Sequence, residues 1–338
     1  MRIENAPKTG QPTRHHRLLK ALLVALGVFV VVLLIAPFVI IPIATIGPIA
    51  YDGNTDLHPL QDIYTPEEFG ILANERMLIT EDGYSIWTSE VSVPVPKAIV
   101  IYLTGIQQPS VTYFYPHAKW MQENGYASLL LEVRGHGNSS GDRVCLGYEE
   151  TRDVQAAVSY LKGQTKYADV PIVLHGVSMG GAIAINAFGQ LPEVDGLIAM
   201  SAYSSFEDVV CDTMAQHSMP SPIIALERPL LRLASSLLFG KSIVEENTPL
   251  AQIQNIGERP ALLIASEGDT SVPSVNMQRL LAVAPEHTQS WLLPSDAHFI
   301  VKDNDFSAVR QDTEYCKRIL DFLEDVVSEQ KTTNKQSA

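Results

Sequence analysis

The sequence predicts an α/β protein: a doubly wound, mostly parallel sheet with a helical lid insertion, preceded by one N-terminal transmembrane helix. Three observations predict it. Short apolar runs alternate with helical patterns through most of the chain, and no charged residue occurs in the 31 positions between Lys20 and Asp52. One interval, from Tyr203 to Arg259, is far longer than the single helix that otherwise joins two strands.

The charge-free stretch contains "ALLVALGVFVVVLLIAPFVII", longer than the roughly 20 apolar residues that cross a bilayer as a helix. A signal peptide has a shorter apolar region, and a buried core helix would show a polar face. The expected organisation is therefore a basic leader over 1–17, an anchor over 18–41 and a connector over 42–70, with Pro37, Pro42 and Pro48 kinking or ending the helix. Arg2, Lys8, Arg14, Arg17 and Lys20 precede the span and Asp52 and Asp56 follow it, which places the N-terminus in the cytoplasm and the rest of the chain on the outer side.

Next, "NERMLITEDGYSIWTSEV" alternates apolar and polar residues on either side of Glu81-Asp82-Gly83, the pattern of an antiparallel hairpin. The runs "KAIVIYLTG", "YASLLLEVRG", "VPIVLHG", "DGLIAMSA", "PALLIASEGD" and "TQSWLLP" are continuously apolar, as strands covered on both faces must be. Helical stretches such as "YEETRDVQAAVSYLKG" and "PSVNMQRLLAVAP" separate most of them, giving repeated strand-helix units. This core is expected over 71–327, with the apolar insertion at about 203–259 acting as a lid and a disordered polar tail over 328–338.

Composition excludes several classes. Five basic residues and one acid, Glu4, lie at or before Lys20, leaving 19 basic against 37 acidic residues beyond it, a balance of −18 that disfavours a nucleic-acid partner. Cys145, Cys211 and Cys316 form no CxxC pair and no ligand spacing with the nine histidines, so no metal site is expected. In an oxidising compartment Cys145 would pair with Cys211; buried free thiols are the alternative.

The chemistry centres on "HGVSMGGAIAI". Gly176-Val177-Ser178-Met179-Gly180 fits G-x-S-x-G between a strand and a helix, a sharp turn that lifts the serine hydroxyl out of the sheet. Gly176 and Gly180 leave room for the close chain approach, and Gly181 lets the following helix near the sheet. A helix beginning at Met179 directs free N–H groups toward charge developing at Ser178.

A serine hydroxyl needs a base, and the base needs an orienting group. His298 in "LLPSDAHFIV" and Asp269 in "LIASEGDTSVP" fall at strand ends in the order serine, acid, histidine, with Glu267 and Asp296 as competing acids. His175, His217 and His287 lack a motif, and packing is their expected role.

With these residues in place the chain resembles the α/β-hydrolase superfamily, within it the monoglyceride lipase and lysophospholipase-like branch that also contains serine peptidases. "GVSMGG", "EVRGHGNSSG" and "EGDTSVP" carry the resemblance, over about residues 75 to 325. It implies the α/β-hydrolase fold, with Arg134, His136 and Gly137 bracing the active-site loop. Thr104-Gly105 stands where the family commonly has His-Gly. The oxyanion hole is assigned to the N–H groups of Ile106 and Met179, with an inward-turned Gln107 as an alternative loop arrangement. "RGHGNSSG" lacks the glycine spacing of a dinucleotide fingerprint, and "SSLLFGKS" lacks the first glycine and the strand of a P-loop.

The resulting expectation is a membrane-anchored serine hydrolase acting without a cofactor on a small-molecule or lipid-like ester, of acylglycerol or lysophospholipid type. A peptidase or amidase of the same fold is the alternative enzyme, with Glu207, Asp208, Glu245 and Glu246 as groups that could meet a peptide amino terminus. A catalytically silent binding module is the alternative outside enzymes.

Overall fold

The hairpin forms one edge of the sheet. In the computed structural model, which describes residues 14–45, 64–106, 108, 110–301 and 305–337, β1 (Asn74–Ile79) and β2 (Ser85–Val91) pair antiparallel, and β2 pairs antiparallel with β4 (Ala127–Leu131). β1 is exposed apart from Leu78 and carries Glu75 and Arg76, charges that discourage edge-to-edge pairing. The other strands are parallel: β3 (Ile99–Leu103), β5 (Ile172–Val177), β6 (Gly196–Met200), β7 (Ala261–Ser266) and β8 (Gln289–Leu293). The eight-stranded order is β1-β2-β4-β3-β5-β6-β7-β8. Strands β3 to β7 are buried along their whole length, which is why they read as unbroken apolar runs.

Two apolar layers sandwich the sheet. One joins its face to α3 (Thr151–Lys162) and α4 (Met179–Gln190) through Val154, Leu161, Ile183 and Phe188. The other packs Tyr102, Val173 and Ile198 under α2 (Tyr115–Glu123) and α10 (Thr313–Ser337) through Trp120, Ile319 and Phe322. The strand order reverses direction between β3 and β5, so the crevice where an open α/β sheet takes its ligand lies at the carboxyl ends of those two strands.

The long interval after β6 folds as α5 (Phe206–Gln216), α6 (Ser221–Phe239), α7 (Lys241–Glu246) and α8 (Pro249–Gln252) before β7 begins; α9 (Val275–Leu281) then joins β7 to β8. Ahead of the sheet, α1 (Arg14–Ala44) packs its last turns against α6, burying Ile41 in the same apolar layer as Leu231, Ala234 and Phe239. Thr45 closes α1 by donating to Pro42 O at 2.8 Å, and its own carbonyl accepts from Val144 N at 3.1 Å.

Three expectations change. The N-terminal helix does not stop at Ile41: it passes through Pro37 and Pro42 to Ala44, because each proline removes one backbone bond while the neighbouring turns stay paired. The polar tail is helical to Ser337, since a helix fixed by buried Tyr315, Phe322 and Val326 extends at the low cost of propagation. Cys145, Cys211 and Cys316 are free thiols; Cys145 Sγ is turned to Glu149 and Cys211 points from α5 into the core. Most of the connector over 42–70, together with the leader before residue 14, lies outside the described residues.

Candidate active site

β5 delivers the chain to Ser178 at φ 56°, ψ −120°, a left-handed conformation that costs a residue with a side chain about 1–3 kcal/mol. The turn is held by Ser178 N donating to Met200 O at 2.8 Å and by α4 starting at the next residue. A Cβ on Gly176 would lie 2.0 Å from Gly180 O, and one on Gly180 would lie 2.3 Å from Leu103 O. Both obstacles are backbone, so neither can move aside. A Cβ on Gly181 would lie 3.0 Å from Ala202 Cβ, where α4 approaches the end of β6.

The imidazole arrives from the loop after β8. His298 Nδ1 is 2.7 Å from Asp269 Oδ2, and Asp269 is fully buried at the end of β7. The other carboxyl oxygen, Oδ1, accepts from Ser271 N at 2.8 Å and Val272 N at 3.0 Å. A carboxylate so placed can only accept, so the ring donates from Nδ1 and keeps Nε2 for a proton. Glu267 and Asp296, the competing acids, are exposed and do not meet the ring. Two contacts missed by sequence reasoning steady this pair. Ser201 Oγ donates to His298 O at 2.7 Å, and Gln216 Nε2 in α5 donates to Asp269 O at 3.0 Å. Their only prior signal was position, Ser201 directly after a strand and Gln216 at a helix end.

The loop after β3 closes the other side. Gly105 stands so close that a Cβ there would be 3.3 Å from Ser178 Cβ. Ile106 and Ser178 line a common cavity, and Met179 is the first residue of α4, where backbone N–H groups have no partner within the helix. Gln107 lies outside the described residues. Its neighbour Gln108 is buried at the cavity wall, with Oε1 accepting from Thr104 Oγ1 at 3.1 Å. Thr104 thus occupies the common histidine position as a link between loop and sheet.

The cavity measures about 370 Å³ and contains Ser178 and His298 together. Ile106, Phe206, Val209, Val272 and Phe299 make its wall largely apolar, and Phe206 and Val209 come from α5 of the insertion. The two reacting candidates share this space without a hydrogen bond between them, a looseness usual before substrate tightens the site.

Buried charges near the site serve its frame. Arg134 bridges Asp153 and Asp82, with Nη contacts of 2.7 Å to each. Burial opposes ionisation of Asp82, but the hydrogen bonds from Arg134 and Thr80 outweigh it and bring its pKa down to about 2. A Cβ on Gly137 would strike the Glu132 carboxylate at 2.2 Å; Glu132 in turn accepts from Asn138 N and Ser110 Oγ, fastening the loop that carries Gln108. His136 Nδ1 donates to Arg134 O at 3.3 Å, and burial pushes the ring's pKa down to about 4. His175 is buried beneath the sheet among aromatic rings, pushed down to about 3, while His217 and His287 are at the surface away from the cavity.

Of the insertion acids Glu207, Asp208, Glu245 and Glu246, three are engaged, while the Glu246 carboxylate is exposed. Tyr148 OH donates to Glu207 at 3.1 Å, Asp208 takes Ser204 Oγ at 2.8 Å and the Arg228 guanidinium, and Glu245 faces Arg232 and Lys241 at 3.9 and 3.8 Å. None of them lines the cavity with Ser178.

Residues 94–248 match the family described as serine aminopeptidase, S33. The chain is 31% identical over 160 residues to the Bacillus subtilis protein YqkD, a match covering 46% of this chain and 50% of that protein. It is 24% identical over 229 residues to the pimeloyl-[acyl-carrier protein] methyl ester esterase of Xanthomonas oryzae, covering 57% of this chain and 83% of that one. The solved structure of the Pyrococcus furiosus esterase Pf2001 superposes with a TM-score of 0.61 at 21% identity, over 83% of this chain and 98% of that one. Sheet order, the turn at Ser178 and these likenesses together show the α/β-hydrolase fold.

Proposed function

We propose that the protein is a serine hydrolase that cleaves carboxylic esters, with Ser178 as nucleophile, His298 as base and acid, and Asp269 as the group that orients the imidazole. The observation that carries the reading is the strained Ser178 sharing one cavity with His298, whose far nitrogen is bound to a buried carboxylate. Ser178 Oγ adds to the ester carbon as Nε2 takes its proton, and the carbonyl oxygen becomes anionic against Ile106 N and Met179 N. The protonated ring then supplies the leaving alcohol, and water deacylates the serine by the same route.

The apolar wall supports an acyl chain as the recognised part, and ester cleavage is the activity named for the Pyrococcus and Xanthomonas relatives. The S33 description favours a second reading, an aminopeptidase. Against it stands the insertion, where Glu207, Asp208 and Glu245 are paired with Tyr148, Arg228, Arg232 and Lys241 and neither they nor Glu246 lines the cavity. In this reading α1 anchors the enzyme in a membrane: residues Arg17–Ala44 are long and apolar enough to cross one, and only 11% of its most apolar window is buried by the rest of the chain. The charge asymmetry across α1 supports a catalytic domain on the outer side. A lipid-like ester fits both features.

A fluorophosphonate probe tests the central assignment. Wild type is expected to label at the peptide containing Ser178 and Ser178→Ala not to label; equal labelling of both would refute the reading. Nitrophenyl esters of increasing chain length then address the substrate, with preference for acetyl over octanoyl counting against a lipid.

A further inference from the structure

The loop between β3 and α2 contains a polar chain with a direction. Tyr113 OH donates to Thr104 Oγ1 at 3.1 Å, and Thr104 Oγ1 spends its single proton on Gln108 Oε1, also at 3.1 Å. The carbonyl end of the Gln108 amide is therefore occupied, and the free end is Nε2 with two N–H donors. Gln108 is only 5% exposed, and what exposure it has is to the cavity containing Ser178 and His298. Its Cδ lies 3.5 Å from the point where a Gly105 Cβ would stand, and Ser178 Cβ lies 3.3 Å from that same point. The amide and the nucleophile thus flank one small volume from two sides. Burying an amide N–H without a partner costs free energy, and here the open position is where a substrate carbonyl must sit.

We infer that Gln108 is a further catalytic residue, a side-chain donor to the acyl oxygen. When Ser178 Oγ bonds to the carbonyl carbon, the π-electron pair moves onto that oxygen and the serine proton passes to His298 Nε2. Gln108 Nε2–H then donates to the new oxyanion alongside the two backbone N–H groups. Tyr113 and Thr104 fix the polarity of the amide before substrate arrives, so no reorientation is needed during the reaction. This rests on Ser178 being the nucleophile, and the test separates the two ideas.

The full chain in detergent is assayed on nitrophenyl butyrate and on its thionoester analogue, whose sulfur is a poorer hydrogen-bond acceptor. Gln108→Ala is expected to lower kcat on the oxoester by about a hundredfold, the scale for losing one oxyanion donor, with KM nearly unchanged. The thionoester rate should fall much less, a split that simple loosening of the loop would not produce. Gln108→Glu keeps the shape but turns an acceptor toward the oxyanion, so it should be slower than Gln108→Ala while melting at the wild-type temperature. Wild-type kcat in either variant, or equal losses on both esters, overturns the role of Gln108. Hydrolysis surviving in Ser178→Ala instead overturns the underlying assignment.

Discussion

Ser201 Oγ donates to the main-chain oxygen of His298 at 2.7 Å, tying the loop that carries the imidazole to the end of β6, next to the strand that leads into Ser178. Ser201 itself sits at φ 50°, and its N–H is held by Ile264 O at 2.8 Å, so the hydroxyl is aimed by a strained but firmly bonded backbone. Replacing Ser201 by Ala removes one hydrogen bond worth about 1 kcal/mol and lets the histidine loop drift from its reacting position. The expected result is a fall in kcat of about fivefold on a nitrophenyl ester with KM unchanged, measured by steady-state kinetics. An unaltered kcat would mean that the loop is held by other contacts.

Asp269 makes a sharper case because its two oxygens face different demands. Oδ1 takes two backbone N–H groups and Oδ2 takes the imidazole. In Asp269→Asn the single remaining oxygen must satisfy Ser271 N and Val272 N, which turns the amide NH₂ toward His298 Nδ1. The ring then has to accept at Nδ1 and carry its proton on Nε2, so it cannot take the proton of Ser178. We expect kcat to drop by about 10³ to 10⁴, as for other triads forced into the wrong tautomer, with little change in melting temperature. Single-turnover acylation should slow in parallel.

What the sequence made legible follows from how local each cause is. The hairpin, the buried strands and the turn at Ser178 are written in short windows: an alternating run around Glu81-Asp82-Gly83, apolar runs, and glycines whose missing Cβ atoms are explained by Leu103 O and Gly180 O. Asp269 and His298 were readable as strand-end residues in a fixed order, but their contact spans 29 positions and depends on β7 and β8 lying side by side. Gln108 and Ser201 escaped because nothing in their windows distinguishes them. Their roles come from Tyr113, Thr104 and His298, reached only through the fold. The C-terminal tail was misread for the complementary reason, since composition registers the absence of apolar residues but not the helix already nucleated ahead of it.

The Asp82–Arg134 link should appear as acid sensitivity. Asp82 has its pKa lowered from 3.8 to about 2: burial raises it, but the hydrogen bonds from Arg134 and Thr80 prevail. A carboxyl whose pKa is lowered by folding contributes stability above its unfolded value, and that contribution disappears as pH falls from about 3.8 through about 2. Asp82→Asn is therefore expected to lower the melting temperature at pH 6 and to approach wild type near pH 2. Differential scanning calorimetry across that range checks it; parallel curves separated by a constant amount would show that charge at Asp82 contributes nothing.

The contact between α1 and α6 joins the apolar N-terminal helix to the insertion whose α5 walls the cavity. Ile41 is completely buried there, whereas nearly every other large side chain of α1 is exposed. Truncating a buried isoleucine to alanine costs about 2–5 kcal/mol, and at this position the loss falls on the packing of one helix against another rather than on the sheet. In full-length Ile41→Ala, amide hydrogen exchange should quicken in α6 while β5 and β6 keep wild-type protection, because local opening follows the element that has lost its packing. Faster exchange throughout would instead assign Ile41 to the global core. Exchange unchanged in α6 would show that the insertion holds its place without α1, and that the apolar N-terminal helix and the cavity wall are mechanically independent.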